Sequence, residues 1–303
     1  MVKILIADKL SQKAVEELQK VSDFEVVVKT GLNEEQLCNE IVPFHAIVVR
    51  SATKVTRKVI EAGSNLKIAV RAGIGLDNID QAAAKEKGIA VKNTPAATSI
   101  SVAELTIGLM FNLARKLPYA FASMKEHKWE KKVLEGDELY GKTAGVIGFG
   151  RIGQEVAKRE LALGMKVLAY DIIKIQTDVA AEQVDFDTLL KNSDYISLHL
   201  PLTDSTRNLL SDKEFDKMKT GVRIVNVSRG GVVDEAALLR ALNSGKVSAA
   251  AIDVFVKEPP EDFSLIDHPN VIATPHIGAS AHEGQERAGF EVVKILKEFF
   301  LNQ

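Results

Sequence analysis

The chain has 303 residues, 46% of them apolar and 26% charged, with a formal net charge of −2, a balance that excludes both a strongly basic nucleic-acid binder and a disordered polyelectrolyte. No apolar run reaches the roughly 18 residues that span a bilayer, and the opening MVKILIADKL lacks the length and cleavage pattern of a signal peptide, so a cytoplasmic protein with neither a membrane nor a nucleic-acid partner is expected. At roughly 150 residues per domain the length implies two domains, and the single cysteine, Cys38, reads as a small core residue in a reducing compartment.

In chain order, short β-branched runs alternate with helical patterns from the start. Residues 3–7, 24–29, 46–50 and 68–71 read as strands, and 11–20, 33–41 and 56–62 as helices, which implies a parallel sheet covered on both faces. Asn93, Thr94 and Pro95 break the pattern. Ser101 and Glu104 then read as a capping box opening a long helix whose apolar stripe runs Val102, Leu105, Leu109, Leu113.

The stretch from Thr143 to Asp171 carries the most information. An apolar run leads into Gly148-x-Gly150-x-x-Gly153, a helical pattern follows, and a second apolar run ends on Asp171. Gly148 suits a tight turn, Gly150 lets backbone approach a pyrophosphate, and Gly153 allows close helix packing beside the free N–H groups of a helix start. Asp171 stands about 20 residues further on, where a carboxylate accepts from ribose hydroxyls and repels a 2′-phosphate. The expected cofactor is therefore NAD rather than NADP, held by the second domain.

Further strands are expected at 195–200, 223–227, 249–254 and 270–273, and an amphipathic helix from Glu283 to Leu301 should pack back onto the first domain. The expected fold class is α/β: two doubly wound parallel-sheet domains, residues 1–94 with 283–303 flavodoxin-like and 95–282 of Rossmann type, with a cleft between them. Three segments at the later strand ends carry chemistry: Arg229 before two glycines, Glu258 before Pro259-Pro260, and His276 after Pro275. The arginine fork suits a substrate carboxylate. His276 suits transfer of a hydroxyl proton, and Glu258 suits holding its ring. The other histidines, His45, His127, His199, His268 and His282, read as structural, and no metal site is expected.

GFGRIG followed by YD, NVSRGGVVDEAALLRAL, AAIDVFVKEPP and ATPHIGAS together resemble the D-isomer-specific 2-hydroxyacid dehydrogenases across essentially the whole chain. The resemblance implies a catalytic Arg229, Glu258 and His276. It implies cofactor contacts from Gly148, Gly150, Arg151, Ile152, Gly153, Asp171, Leu200, Val227, Ser228, Asp253, His276, Gly278 and Ala279, with Asp253 at the nicotinamide carboxamide. VVRSATKVT, RAGIGLDNID, KNTP and SMKEHKWEKK resemble the branch that acts on a phosphorylated hydroxyacid. This implies substrate contacts from Arg50, Ser51, Arg71, Gly73 and Arg229, with Lys131 from a partner subunit of a homodimer built on the long helix and the Trp129 to Lys132 segment.

Two residues depart from that branch: Ile74 and Leu200 stand where animal members offer a hydroxyl, so any hydrogen bond there must come from backbone. The C-terminal regulatory extension of longer members is not present in this sequence, so serine feedback by that route is not expected. Reduction of glyoxylate or hydroxypyruvate stays open, although Arg50, Lys54, Arg71 and Lys131 speak for a phosphate. The corepressors that share the fold and keep the catalytic trio stay open as a remote alternative.

Overall fold

The computed structural model describes residues 1–301. The chain divides into two compact units, Met1–Ser99 with Ala279–Gln303, and Ile100–Gly278. The divisions fall a few residues from the expected 94/95 and 282/283.

The first unit is a five-stranded parallel sheet of β1 (Val2–Ile6), β2 (Phe24–Val28), β3 (Ala46–Val49), β4 (Ile68–Arg71) and β5 (Ala90–Asn93), in the flavodoxin-like order β2-β1-β3-β4-β5. Strands buried on both faces must be apolar at every position, as AIVV of β3 is. Ile4, Ile6, Val48 and Val70 face one cluster, and Leu5, Ile47, Val49 and Ala69 the other. Helices α1 (Gln12–Gln19) and α11 (His282–Leu301) cover the first face; α2 (Glu34–Glu40), α3 (Arg57–Ala62) and α4 (Gln81–Glu86) lie with the second.

Ser11 and Asn33, expected as first helical residues, are instead N-caps: each side chain accepts an amide of the first turn, and Asn33 with Gln36 completes a capping box. The returning helix α11 buries Val292 and Leu296 fully, worth about 1.5–3 kcal/mol each. It lies so close to α1 that a Cβ on Gly289 would stand 2.7 Å from Ala14. Helix α4 and strand β5 were not anticipated, because Ala82 to Ala84 carry little periodic signal and β5, AVKN, is half polar.

The second unit opens with α5 (Ser99–Arg115), which starts two residues before the expected capping box. Ser101 and Glu104 therefore lie inside the helix, and Glu104 pairs with Arg159 at 3.4 Å instead of capping. After α6 (Leu117–Lys125) come β6 (Thr143–Ile147), α7 (Arg151–Ala162), β7 (Lys166–Tyr170), β8 (Glu182–Gln183), α8 (Phe186–Asn192), β9 (Tyr195–Leu198), α9 (Asp212–Lys217), β10 (Val222–Asn226), α10 (Glu235–Asn243), β11 (Val247–Ile252) and β12 (Val271–Ala273). The all-parallel order β12-β11-β10-β9-β6-β7-β8 is the Rossmann order with one added strand. Tyr170, Ile147, Leu198, Asn226, Ile252 and Ala273 are successive partners across it. This register sets the residues that follow each strand along one carboxyl edge.

Candidate active site

That edge gathers the fingerprint and the three chemical segments, and the switch point of the strand order lies between β6 and β9, where an open α/β sheet binds its ligand. Gly148 has φ 91°, and a Cβ there would stand 2.6 Å from the His199 carbonyl oxygen. A Cβ on Gly153 would stand 2.1 Å from the Gly148 carbonyl oxygen, so neither position admits a side chain. Gly150 differs: a Cβ on it would meet nothing within 4 Å, and it starts α7 with no side-chain cap. Open space in front of uncapped helix N–H groups is what a pyrophosphate requires. Arg151 is exposed at the first turn of α7 and Ile152 is half-buried against the core.

Asp171 closes the same turn, since the Phe149 amide donates to its Oδ2 at 2.8 Å. Its other oxygen accepts from no protein group among the described residues and is the one available to ribose hydroxyls. Asp171→Ala should weaken NAD binding and raise relative use of NADP, measured as the ratio of kcat/KM for the two; a wild type that prefers NADP would contradict the ribose role. The Leu200 side chain lies against Gly148, so this position contributes apolar contact and backbone only. Beside it, the His199 ring, treated as structural from the sequence, meets Ser197 Oγ at 3.0 Å, and burial pushes its pKa down to about 3. A neutral ring is thus packed next to the cofactor turn.

At the end of β10 the side chain of Asn226 shapes the arginine turn. Its Oδ1 accepts from the Ser228 amide and hydroxyl at 3.1 and 2.8 Å, and its Nδ2 donates to the Arg229 carbonyl at 3.2 Å. Val227 and Ser228 are buried, Arg229 is half-buried, and its Nη1 donates to the Ser228 carbonyl at 2.6 Å. A Cβ on Gly230 would fall 1.9 Å from the Phe255 carbonyl oxygen, so the Arg229 and Glu258 loops touch backbone to backbone.

The histidine turn is built around Asp253, which is fully buried. Its carboxylate accepts from the Thr274 hydroxyl at 2.6 Å and from the Ile277 and Gly278 amides at 2.8 Å each, and its carbonyl accepts from the His276 amide at 2.9 Å. These bonds on both sides of His276 hold it at φ 52°, a left-handed conformation that a non-glycine residue adopts only when its surroundings impose it. The sequence places Asp253 at the nicotinamide carboxamide; in the structure its carboxylate anchors the histidine turn.

His276 Nδ1 lies 2.7 Å from Glu258 Oε2, while Glu258 Oε1 accepts the Phe255 amide at 3.1 Å. Burial pushes the Glu258 carboxyl up, but the bonds from His276 and Phe255 and the charge of Arg229 outweigh it and hold it below the usual carboxylate range. An ionised carboxylate on Nδ1 fixes the tautomer that leaves Nε2 as the proton acceptor. The pair itself lines a cavity of about 480 Å³, together with Phe255, Pro259, Pro260, Ile266 and Ala273.

The residues expected to hold substrate lie in the first unit, at the carboxyl ends of β3 and β4. Arg50 is half-buried, its Nη1 donates to the Lys9 carbonyl at 3.2 Å, and Ser51 beside it is exposed. Arg71 is 11% exposed, with Nη1 3.4 Å from Asp77, and the Gly73 amide turns back onto the Arg71 carbonyl at 2.9 Å. Ala279, expected near the cofactor, is the first residue of the segment that returns to this unit. Lys131 is exposed on the rim of a cavity of about 730 Å³ that it shares with Trp129, itself 81% exposed. Two groups that sequence reasoning missed, Asp8 and Asn78, brace the Arg50 turn. The one signal for Asp8 was its place just past the end of β1.

Residues 107–278 match the family described as D-isomer specific 2-hydroxyacid dehydrogenase, NAD binding domain. A hydroxypyruvate reductase of Thermotoga maritima is 55% identical over 300 residues, 98% of this chain and 98% of that protein. A D-3-phosphoglycerate dehydrogenase of Archaeoglobus fulgidus is 51% identical over 296 residues, 96% of this chain and 56% of that protein, so the chain spans about half the length of that relative. Among solved structures, D-lactate dehydrogenase of Aquifex aeolicus, complexed with NAD and lactic acid, has a TM-score of 0.85 at 33% identity and covers 98% of this chain and 95% of that one.

Proposed function

Because the chain belongs to the D-isomer-specific 2-hydroxyacid dehydrogenases and binds NAD, we propose that it oxidises D-3-phosphoglycerate to 3-phosphohydroxypyruvate, the step that opens serine biosynthesis. When bound, NAD supplies the acceptor for the hydride that leaves C2 of the acid. Arg229 binds the substrate carboxylate through its guanidinium fork and polarises the neighbouring C2 oxygen. His276 Nε2 takes the hydroxyl proton as the hydride departs, and Glu258, 2.7 Å from Nδ1, stabilises the imidazolium so formed. In reduction the same proton returns to the carbonyl oxygen.

The single observation that carries the phosphate reading is Arg50. Its guanidinium has lost much of its water, burial lowering its pKa while Asp8 raises it, yet no carboxylate hydrogen-bonds it among the described residues. A half-buried cation that contacts only a carbonyl suits an incoming anion. Arg71 and Ser51 at neighbouring strand ends add donors, the Gly73 amide being spent on the Arg71 carbonyl, and Lys131 of a partner copy completes the set. Exposed Phe121, Met124, Trp129, Val133 and Tyr140, clustered on α6 and the segment after it, support a homodimer through that face. The reading places the enzyme in the cytoplasm.

A charge-assisted bond to phosphate contributes roughly 1.5–3 kcal/mol. Arg50→Ala or Lys131→Ala should therefore lower kcat/KM for D-3-phosphoglycerate on the order of ten- to a hundredfold and leave D-glycerate nearly unchanged. A wild type that oxidises both acids equally well would overturn the phosphate reading. The second reading, reduction of hydroxypyruvate, is favoured by the 55% identity with the Thermotoga protein. The same panel of acids decides between them.

A further inference from the structure

Asp8 lies just past β1 and is 6% exposed, a carboxylate for which neither the hydride chemistry nor the cofactor has a use. It is fully occupied: Oδ2 accepts the Arg50 amide at 2.6 Å and the Thr53 amide at 3.1 Å, and Oδ1 accepts the Thr53 hydroxyl at 2.7 Å. From the other side, Asn78 Nδ2 donates to the Arg50 carbonyl at 2.8 Å and the Thr53 carbonyl at 2.6 Å. Amide and carbonyl of both end residues of the turn are thus tied down, by side chains from two other segments. The residues between them, Ser51 and Ala52, are exposed, and their amides donate to no protein group among the described residues. These bonds tie the 50–53 backbone at both ends, although Asn78 Oδ1 is itself buried without a donor among the described residues, and they over-determine the turn that they hold.

Resting on the reading that Arg50 takes a substrate anion, we propose that Asp8 is a positioning residue for that anion. It fixes the 50–53 turn so that the Arg50 guanidinium and the Ser51 and Ala52 amides are set to receive the anion. Asp8 touches neither substrate nor cofactor; it acts through Arg50 and the turn. Its work lies in binding the substrate rather than in hydride transfer, so its loss should appear in KM and not in kcat.

The test compares wild type, Asp8→Ala, Asp8→Asn, Asn78→Ala and Arg50→Ala in steady-state oxidation of D-3-phosphoglycerate and D-glycerate, well below the melting temperature of each. Asp8→Ala and Asn78→Ala should raise KM for the phosphorylated acid on the order of ten- to a hundredfold, as Arg50→Ala does, with kcat at saturation and KM for NAD unchanged. Asp8→Asn should restore most of the affinity: its carbonyl oxygen replaces Oδ2, and its NH₂ donates to Thr53 Oγ1, whose one hydrogen then turns from residue 8 to the Ala7 carbonyl, 3.2 Å away. Equal losses with both acids would keep the role of Asp8 and assign the turn to the substrate carboxylate, so that the phosphate reading alone fails. The proposal is overturned by an unchanged KM for both acids in folded Asp8→Ala, or in Asn78→Ala should Asp8→Ala not fold. It is also overturned by a fall in kcat at unchanged KM.

Discussion

His276→Ala lowers kcat by about 10²- to 10⁴-fold, the scale of general acid–base catalysis, while NAD affinity stays near that of the wild type. The two effects separate because they rest on different segments. On the proposed reading proton transfer belongs to the turn after β12, and the cofactor to the glycine turn after β6 and to Asp171 after β7. Stopped-flow turnover with equilibrium NAD titration checks both halves. Turnover within a few-fold of wild type removes His276 from its role, and joint loss of turnover and NAD binding points to a collapsed edge instead. Glu258→Gln refines the result. Without the carboxylate 2.7 Å from Nδ1 the imidazolium is less stabilised, so the acid limb of the oxidation rate moves to lower pH. An unmoved limb shows that the pair does not titrate as a unit.

The stability gained by Glu160→Gln relative to the wild type grows by roughly 3 kcal/mol between pH 5 and pH 7.5. Glu160 is on the inward face of α7 with Gly153, Val156 and Ala157, is 0% exposed, and neither carboxylate oxygen has a hydrogen-bond partner among the described residues. Asp8 and Asp253 are also buried acids, but each carboxylate accepts three protein donors. With none, Glu160 is driven by burial to a pKa of about 8. A folded-state pKa raised above the unfolded value means that the folded chain binds more protons between roughly pH 4.5 and 8. Stability therefore falls as pH rises through that window and levels off above it. Glutamine resembles the protonated acid in size and does not titrate, so the gap between variant and wild type should open with pH. Denaturant unfolding at several pH values measures it; parallel curves would show that Glu160 is solvated in solution.

The cofactor unit and the candidate reactive residues were legible in the sequence because their signals are local. The three glycines, the apolar runs on either side and Asp171 lie within one βαβ span, and each residue type is demanded by backbone geometry or charge at its own position. Alternation of runs and helices likewise determined two parallel α/β units, since only strands covered on both faces are apolar throughout. Arg229, Glu258 and His276 were marked by turn chemistry at strand ends, so their presence was readable. Their arrangement was not: the 2.7 Å bond between Glu258 and His276 depends on a register that aligns Asn226, Ile252 and Ala273, and on Asp253 holding His276 in a left-handed turn.

Ser101 and Glu104 show the opposite failure. A sound local capping pattern yields to a helix that begins at Ser99, and Glu104 spends its charge on Arg159, far along the chain. Asp8 left only its place just past β1 as a trace in the sequence, and Asn78 and Glu160 left none; each is one more polar residue near an element's end or on a helix. Only the packed structure decides that the first two close a hydrogen-bond network around Arg50 and Thr53, and that the third meets no donor among the described residues. Burial and partners come from contacts far apart in sequence, and these decide whether a buried carboxylate braces a turn or weighs on the fold.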